Sequence, residues 1–275
     1  MKMSRRQSVL THTILIIFAI WSLVPVVWTV LTSFKPESKI FTTEVKLVDD
    51  PTLKNYSDLL TRGDFVQWAF NSLFVALVTT VFAVFLSATC AYAISRFRFR
   101  GRGTSMYIFL VAQMFPGVIL LIPLFGIFTN LGLIDTPWAL ILSYATFAIP
   151  FCILMLKSFF DTIPYELEEA GRVDGLGVFG TFWQIVIPLS VPGLAVTAFF
   201  AFVTAWNEFL FARSFLTSKD ALTLPVGMAT FIDPFNQPWG LLTAGSVLIT
   251  IPVMIVFFLA QRFLISGLST GGVKG

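Results

Sequence analysis

Apolar residues along this chain gather into long blocks, and polar ones fill the short gaps between them. Six blocks stand out, at about 12–34, 68–95, 105–130, 138–160, 182–212 and 240–265. Each is long enough to span a bilayer, since a hydrocarbon core about 30 Å thick needs ~20 helical residues at ~1.5 Å per residue. Within lipid an open chain satisfies its backbone N–H and C=O groups only as hydrogen-bonded helix. The pattern therefore predicts an all-α polytopic membrane protein with six transmembrane helices over 12–265, between an amino-terminal segment (1–11) and a tail (266–275).

Composition removes the soluble alternative. Hydrophobic residues make up 56% of the 275 positions and charged ones only 12%, with a mean hydropathy of +0.86. A water-soluble domain of this size would have too little polar side chain to cover its exterior. The net charge of +3 lies in short loop clusters, so no nucleic-acid surface is expected. Cys90 and Cys152 fall inside apolar blocks without ligand-like spacing and read as packed thiols, and His12 alone makes no metal site.

The basic residues set an orientation. Lys2, Arg5 and Arg6 precede the first block, Arg96, Arg98, Arg100 and Arg102 fill the gap after the second, and 131–137 holds no Lys or Arg. Because Lys and Arg favour the cytoplasmic side, the amino terminus is expected inside, and six spans return the carboxyl terminus there too. The first block imitates a signal peptide, but it is longer than an h-region and no small-x-small site follows, so it reads as a retained helix. On this scheme 35–67 is an external cap containing a short helix over 53–61, and 213–239, with Pro225, Asp233, Pro234, Asn236 and Pro238, is an outer loop.

Helix breakers interrupt several blocks: Pro25, then Pro116, Gly117 and Pro123, then Pro150, then Pro252. In lipid a freed carbonyl needs another partner, so bent helices either pack within a bundle or line a wet pathway. Both readings stand at this point.

The most informative stretch joins the fourth and fifth blocks. It runs Ile163-Pro164-Tyr165-Glu166-Leu167-Glu168-Glu169-Ala170-Gly171-Arg172-Val173-Asp174-Gly175. Pro164 suits a first turn, the glutamates complement the positive helix end, and Gly175 suits a left-handed stop, predicting a cytoplasmic helix of about three turns. Leu167, Ala170, Gly171 and Asp174 share a face by spacing, and its centre is nearly bare of side chain. Glu168, Glu169 and Arg172 beside it offer charges that fix register with a partner. A solvated amphipathic connector and a docking helix both fit.

Glu169-Ala170-Gly171, three residues, Gly175, nine residues and Ile185-Val186-Ile187-Pro188 resemble the EAA loop (161–188) of bacterial ABC importer permeases. Gly171 and Ile187 depart from the commoner alanine and leucine. Asn55-Tyr56, Asn71-Ser72, Trp206-Asn207-Glu208 and the run Gly267-Leu268-Ser269-Thr270-Gly271-Gly272 extend the likeness to the MalG-like carbohydrate permeases. The resemblance implies a plasma (inner) membrane subunit of a bacterium or archaeon. It implies partners as well: a second similar permease, an ABC ATPase dimer carrying ATP and Mg, and an extracytoplasmic substrate-binding protein that the outer loop would reach. It also implies that Glu168 to Gly175, as a coupling helix, dock on the ATPase, and that the run after 266 is a docking tail.

No G-x-x-x-x-G-K-[ST] loop occurs, so the chain has no phosphate cradle of that kind and ATP belongs to a partner. Charge at the bilayer centre costs about 2.5–3.5 kcal/mol, and the blocks hold almost none away from their ends, which argues against an ion relay and suits an uncharged sugar or polyol. An ion-coupled secondary carrier would want intramembrane carboxylates and an inverted repeat, and neither is visible. Candidate pathway groups are Asn71, Ser72, Gln113, Asn207 and Glu208, which equally suit helix-to-helix hydrogen bonds. Trp206 reads as an interface anchor, and none of the 31 phenylalanines is assigned a ligand.

Overall fold

The computed structural model describes residues 4–42, 50–61, 64–233, 235 and 237–271, with Arg5 and 264–271 as backbone alone. In chain order the helices are α1 (Arg5–Ser33), α2 (Lys54–Thr61), α3 (Asp64–Arg96), α4 (Arg102–Met114), α5 (Leu121–Asn130), α6 (Pro137–Phe160) and α7 (Tyr165–Val173). They continue as α8 (Val178–Leu189), α9 (Val191–Trp206), α10 (Leu210–Phe215), α11 (Leu224–Ala229) and α12 (Trp239–Gly271). No strand occurs among the described residues.

Among the described residues four helices, α1, α3, α6 and α12, are long and apolar enough to cross a membrane unbroken. Two further helix pairs are long and apolar enough together but sharply bent, each a broken span or a re-entrant loop: α4 with the segment 117–130 by 94°, and α8 with α9 by 79°. Counting each bent pair once gives the six spans expected from the apolar blocks. Pro25, Pro150 and Pro252 sit inside continuous helices, whereas Pro116, next to Gly117, ends α4 with Phe115 in extended backbone. A proline with an intact helix around it loses one hydrogen bond; a Pro-Gly pair also loses the stiffness that would carry the helix across.

The block over 182–212 is not one unbroken helix. It is broken at Ser190, between Pro188 and Pro192, and it ends at Asn207, after which α10 begins anew. At the other end of the chain α12 carries helix past the expected boundary at 265 to Gly271; the remaining positions of the proposed docking tail, 272–275, lie outside the described residues.

The chain divides into two compact units, residues 1–65 with 228–251, and 66–227 with 252–275. In the first, Asn55 of α2 is buried and its Nδ2 donates to the carbonyl oxygens of Ser33 and Lys35, both at 2.9 Å. Tyr56 Oη meets Ser33 Oγ at 2.6 Å. The Asn-Tyr pair thus clasps the end of α1, whose last carbonyls have no partner within the helix. Glu37 accepts from the N–H groups of Trp239 (2.9 Å) and Gly240 (2.7 Å), capping α12 with the negative charge its N-terminus favours.

The second unit is organised around α6, half of whose residues are buried and which packs against α4, α9 and α10. Small residues make the closest approach: Ala83, Ala148, Cys152 and Ala201 form one buried cluster, as expected where helices associate by close packing in lipid. Both cysteines are free thiols, Cys152 fully buried.

Candidate functional site

Between α6 and α8 the chain builds α7 much as its sequence dictates. Pro164 is the N-cap, and Glu166 and Glu168 lie in the first turn. At the other end Gly175 N–H donates to the Arg172 carbonyl at 3.1 Å and Leu176 N–H to the Gly171 carbonyl at 2.9 Å. Gly175 has φ +90° with open space around it, so glycine is needed there for backbone conformation and not for room. Just beyond, Phe182–Val186 forms a π turn inside α8.

The face expected to be open is split. Leu167, Ala170 and Asp174 are exposed, but Gly171 is buried, and a Cβ on it would lie 2.3 Å from Ile185 Cδ1. The bare part of α7 therefore lies against its own chain at the π turn. Glu168, expected to offer its charge outward, is 0% exposed. Its Oε1 pairs with Arg96 Nε, and its Oε2 accepts from Tyr92 Oη at 3.0 Å. Arg96 also donates through Nη2 to the carbonyl oxygens of Phe160 (2.8 Å) and Ile163 (3.1 Å), and through Nη1 to Ser95 Oγ (3.0 Å). Removing one partner of a buried pair of this kind costs about 3–5 kcal/mol, because the other charge is left without compensation.

What α7 turns outward is a mixed patch. Glu169, Ala170, Arg172 and Asp174 are exposed, with Val173 at 87% and, just past the helix, Phe179 at 81%. The Arg172 guanidinium lies 5.5 Å over the Tyr165 ring and donates to Tyr165 Oη at 3.2 Å, which raises the already high pKa of the arginine.

The polar residues considered for a pathway separate into two kinds. Asn71 is saturated: its Nδ2 donates to the carbonyls of Asp220 (2.7 Å) and Leu222 (2.9 Å), and its Oδ1 accepts from Gln67. Ser72 Oγ accepts from Leu224 N–H at 2.7 Å, and Trp68 Nε1 donates to the Lys219 carbonyl at 2.9 Å. Together they clasp the segment 219–224 to α3. Glu208 caps α10, accepting from the N–H groups of Phe211 (2.9 Å) and Ala212 (3.1 Å). Gln113, before the 94° bend, and Asn207, at the end of α9, are exposed; Asn207 Nδ2 donates back to the Val203 carbonyl at 3.0 Å.

Trp206, expected as an interface anchor, is instead 2% exposed and stacked on Phe202 at 5.7 Å. The segment 213–239, expected as an outer loop, is also less open than its length suggests. Within the second unit Leu222, Thr223, Leu224 and Val226 are buried, while within the first Ile232 and Phe235 are exposed; positions 234 and 236 lie outside the described residues. Asp135, not singled out in the sequence, turns out to pin the amino-terminal end of α6. At φ +64° it accepts from the N–H groups of Thr217 (2.8 Å) and Ser218 (3.0 Å) and from Ser218 Oγ. Burial pushes its carboxyl up, but these hydrogen bonds outweigh burial and hold it below its ordinary value.

Residues 81–270 match the family described as binding-protein-dependent transport system inner membrane component. The chain is 41% identical over 264 residues to the inner membrane ABC transporter permease protein YcjP of Escherichia coli (strain K12), covering 95% of this chain and 94% of that one. It is 40% identical to the trehalose transport system permease protein SugB of Mycobacterium tuberculosis (strain CDC 1551 / Oshkosh), covering 93% of each. In fold it is similar to a chain of a bacterial ABC transporter involved in the import of the acidic polysaccharide alginate, with a TM-score of 0.82 at 24% identity over 95% of this chain and 99% of that chain.

Proposed function

The chain belongs to the family of binding-protein-dependent transport system inner membrane components, and from that premise we propose that it is a permease subunit of an ABC importer for a sugar or related polyol. It resides in the plasma membrane and is not itself the ATPase. With a second, similar permease it forms the translocation pathway; a separate ATPase dimer binds ATP and Mg, and an extracytoplasmic binding protein delivers the cargo. The observation that carries the carbohydrate reading is likeness along nearly the whole chain to a trehalose permease at 40% identity.

Within that frame α7 is the coupling helix. Glu169, Ala170, Arg172 and Asp174, with Val173, supply the surface for the ATPase, while Glu168, Gly171 and Gly175 hold the helix in place. That assignment is supported by which side chains are exposed and which are paired inside. Gln113 and Asn207 are the pathway candidates, because their amides stay exposed. Asn71, Ser72 and Glu208 shape the pathway indirectly, since their polar atoms already serve the backbone. Both termini are cytoplasmic.

The test is affinity purification of the tagged chain in mild detergent, comparing wild type with Ala170→Arg plus Val173→Glu, two exposed positions whose change leaves the interior untouched. Wild type should bring down an ATPase and a second permease, and the variant should keep the permease and lose the ATPase. A chain that purifies alone in both forms would overturn the reading.

A further inference from the structure

Arg96 ends α3 and sits where three parts of the chain converge. Its guanidinium reaches Glu168 on α7, the carbonyl of Phe160 at the end of α6, and that of Ile163 in the linker between them. The side chains of Arg96 and Glu168 are 7% and 0% exposed, so no partner protein can reach the pair. Tyr92, one turn earlier on α3, holds the second carboxylate oxygen. A planar guanidinium with its donors spent on fixed acceptors allows little rotation about the contact. On its other side α7 lies against Ile185 through the bare Gly171, which permits approach but sets no orientation.

Filling the same volume with apolar side chains would be as stable or more so, because burying the two charges costs desolvation. What the ionic contact supplies is direction: it fixes α7 relative to α3 and α6 at one angle, where apolar packing tolerates several. We propose that Arg96 and Glu168, with Tyr92, form a positioning bracket that makes α7 and the inner ends of α3 and α6 move as one body, so that displacement of α7 by the ATPase reaches the spans undiminished. This rests on reading α7 as the ATPase-contacting helix.

The experiment uses the full complex, purified with its ATPase and second permease and placed in lipid nanodiscs, with spin labels at Glu166→Cys and Ser158→Cys, both exposed positions, in a background of Cys90→Ala and Cys152→Ala. The distance between labels is read without nucleotide and with ATP plus orthovanadate. In the wild-type bracket it should hold within about 2 Å, the scale on which packed helices shift together. Arg96→Met with Glu168→Met removes both charges and leaves neither unpaired, so the chain should fold and keep its ATPase. In that variant the nucleotide-dependent distance should change or broaden by about 5 Å, one helical turn, and uptake-independent ATP hydrolysis should persist.

A distance that moves in the wild-type bracket, a double variant that tracks wild type, or a double variant that loses the ATPase would each overturn the bracket. An ATPase missing from the unmodified complex would instead remove the reading of α7 on which it rests, and co-purification distinguishes the two failures.

Discussion

Gly227 lies flat against the indole of Trp68: a Cβ on its backbone would come within 2.1 Å of both Cδ2 and Cε3. The ring is 1% exposed, and its Nε1 is committed to the Lys219 carbonyl, so it has nowhere to turn. Gly227→Ala is therefore expected to destabilise by about 1–3 kcal/mol or more, the usual range for overpacking. A lower thermal midpoint in detergent would check this, and an unchanged midpoint would show that the indole can yield.

Gly171 poses the same geometric question with a different answer. The atom nearest its virtual Cβ is Ile185 Cδ1, the free end of a flexible side chain, with Leu176 Cδ1 next at 3.2 Å. Alanine gains about 1 kcal/mol of helix propensity over glycine, which offsets the cost of rotating Ile185. Gly171→Ala should leave thermal stability and ATPase recruitment near wild type, while Gly171→Leu should lift α7 off the π turn and abolish recruitment. Co-purification of the ATPase with each variant decides the matter.

Asn55→Ala would strip the carbonyls of Ser33 and Lys35 of their amide donor. Each buried acceptor left unsatisfied costs about 1–3 kcal/mol, so with two of them local opening of the first unit should become easier by about 2–6 kcal/mol. Hydrogen exchange across α2 should quicken accordingly while exchange in α6 stays unchanged. Uniform acceleration throughout would mean that the clasp supports the whole molecule.

Asp135 carries a pH dependence of definite sign. Its folded-state pKa is held below the ordinary 3.8, so its stabilisation is complete above that value and is lost as pH falls through the lower folded value. Asp135→Asn should lower stability at pH 7 by about 1 kcal/mol, partial exposure limiting the effect. The gap between wild type and variant should close as the medium is acidified below the ordinary value. Thermal melts of both at several pH values would show it, and a gap that widens on acidification would contradict the assignment.

Patterns of short range were the ones the sequence disclosed. Apolar blocks, the short helix between the fourth and fifth of them, and the left-handed glycine at 175 each depend on residues within a few turns of one another. Glu168 was placed on the outside because its partner, Arg96, lies 72 positions earlier and no periodicity connects them. The choice between pathway group and structural hydrogen bond stayed open at Asn71 and Ser72 for the same reason, their partners lying 149 to 152 positions later in the chain. The bend at Ser190 did leave a signal, in Pro188 and Pro192 on either side of it, and a mean apolar character over 182–212 concealed it. Trp206 was misplaced because an aromatic residue at the end of an apolar block looks alike whether the block ends at lipid headgroups or inside protein.

The clasp that Trp68, Asn71 and Ser72 make on the segment 219–224 spans 149 to 152 residues of chain. At a synthesis rate of about 5–20 residues per second, the ribosome needs roughly 8–30 s to travel that far. During this interval α3 is already made, with an indole N–H, an amide and a hydroxyl waiting near its amino-terminal end. Water or a chaperone has to satisfy these groups until Lys219 emerges. Biogenesis thus acquires an order, in which the amino-terminal end of α3 is sealed late, and a chain interrupted before that point leaves it open.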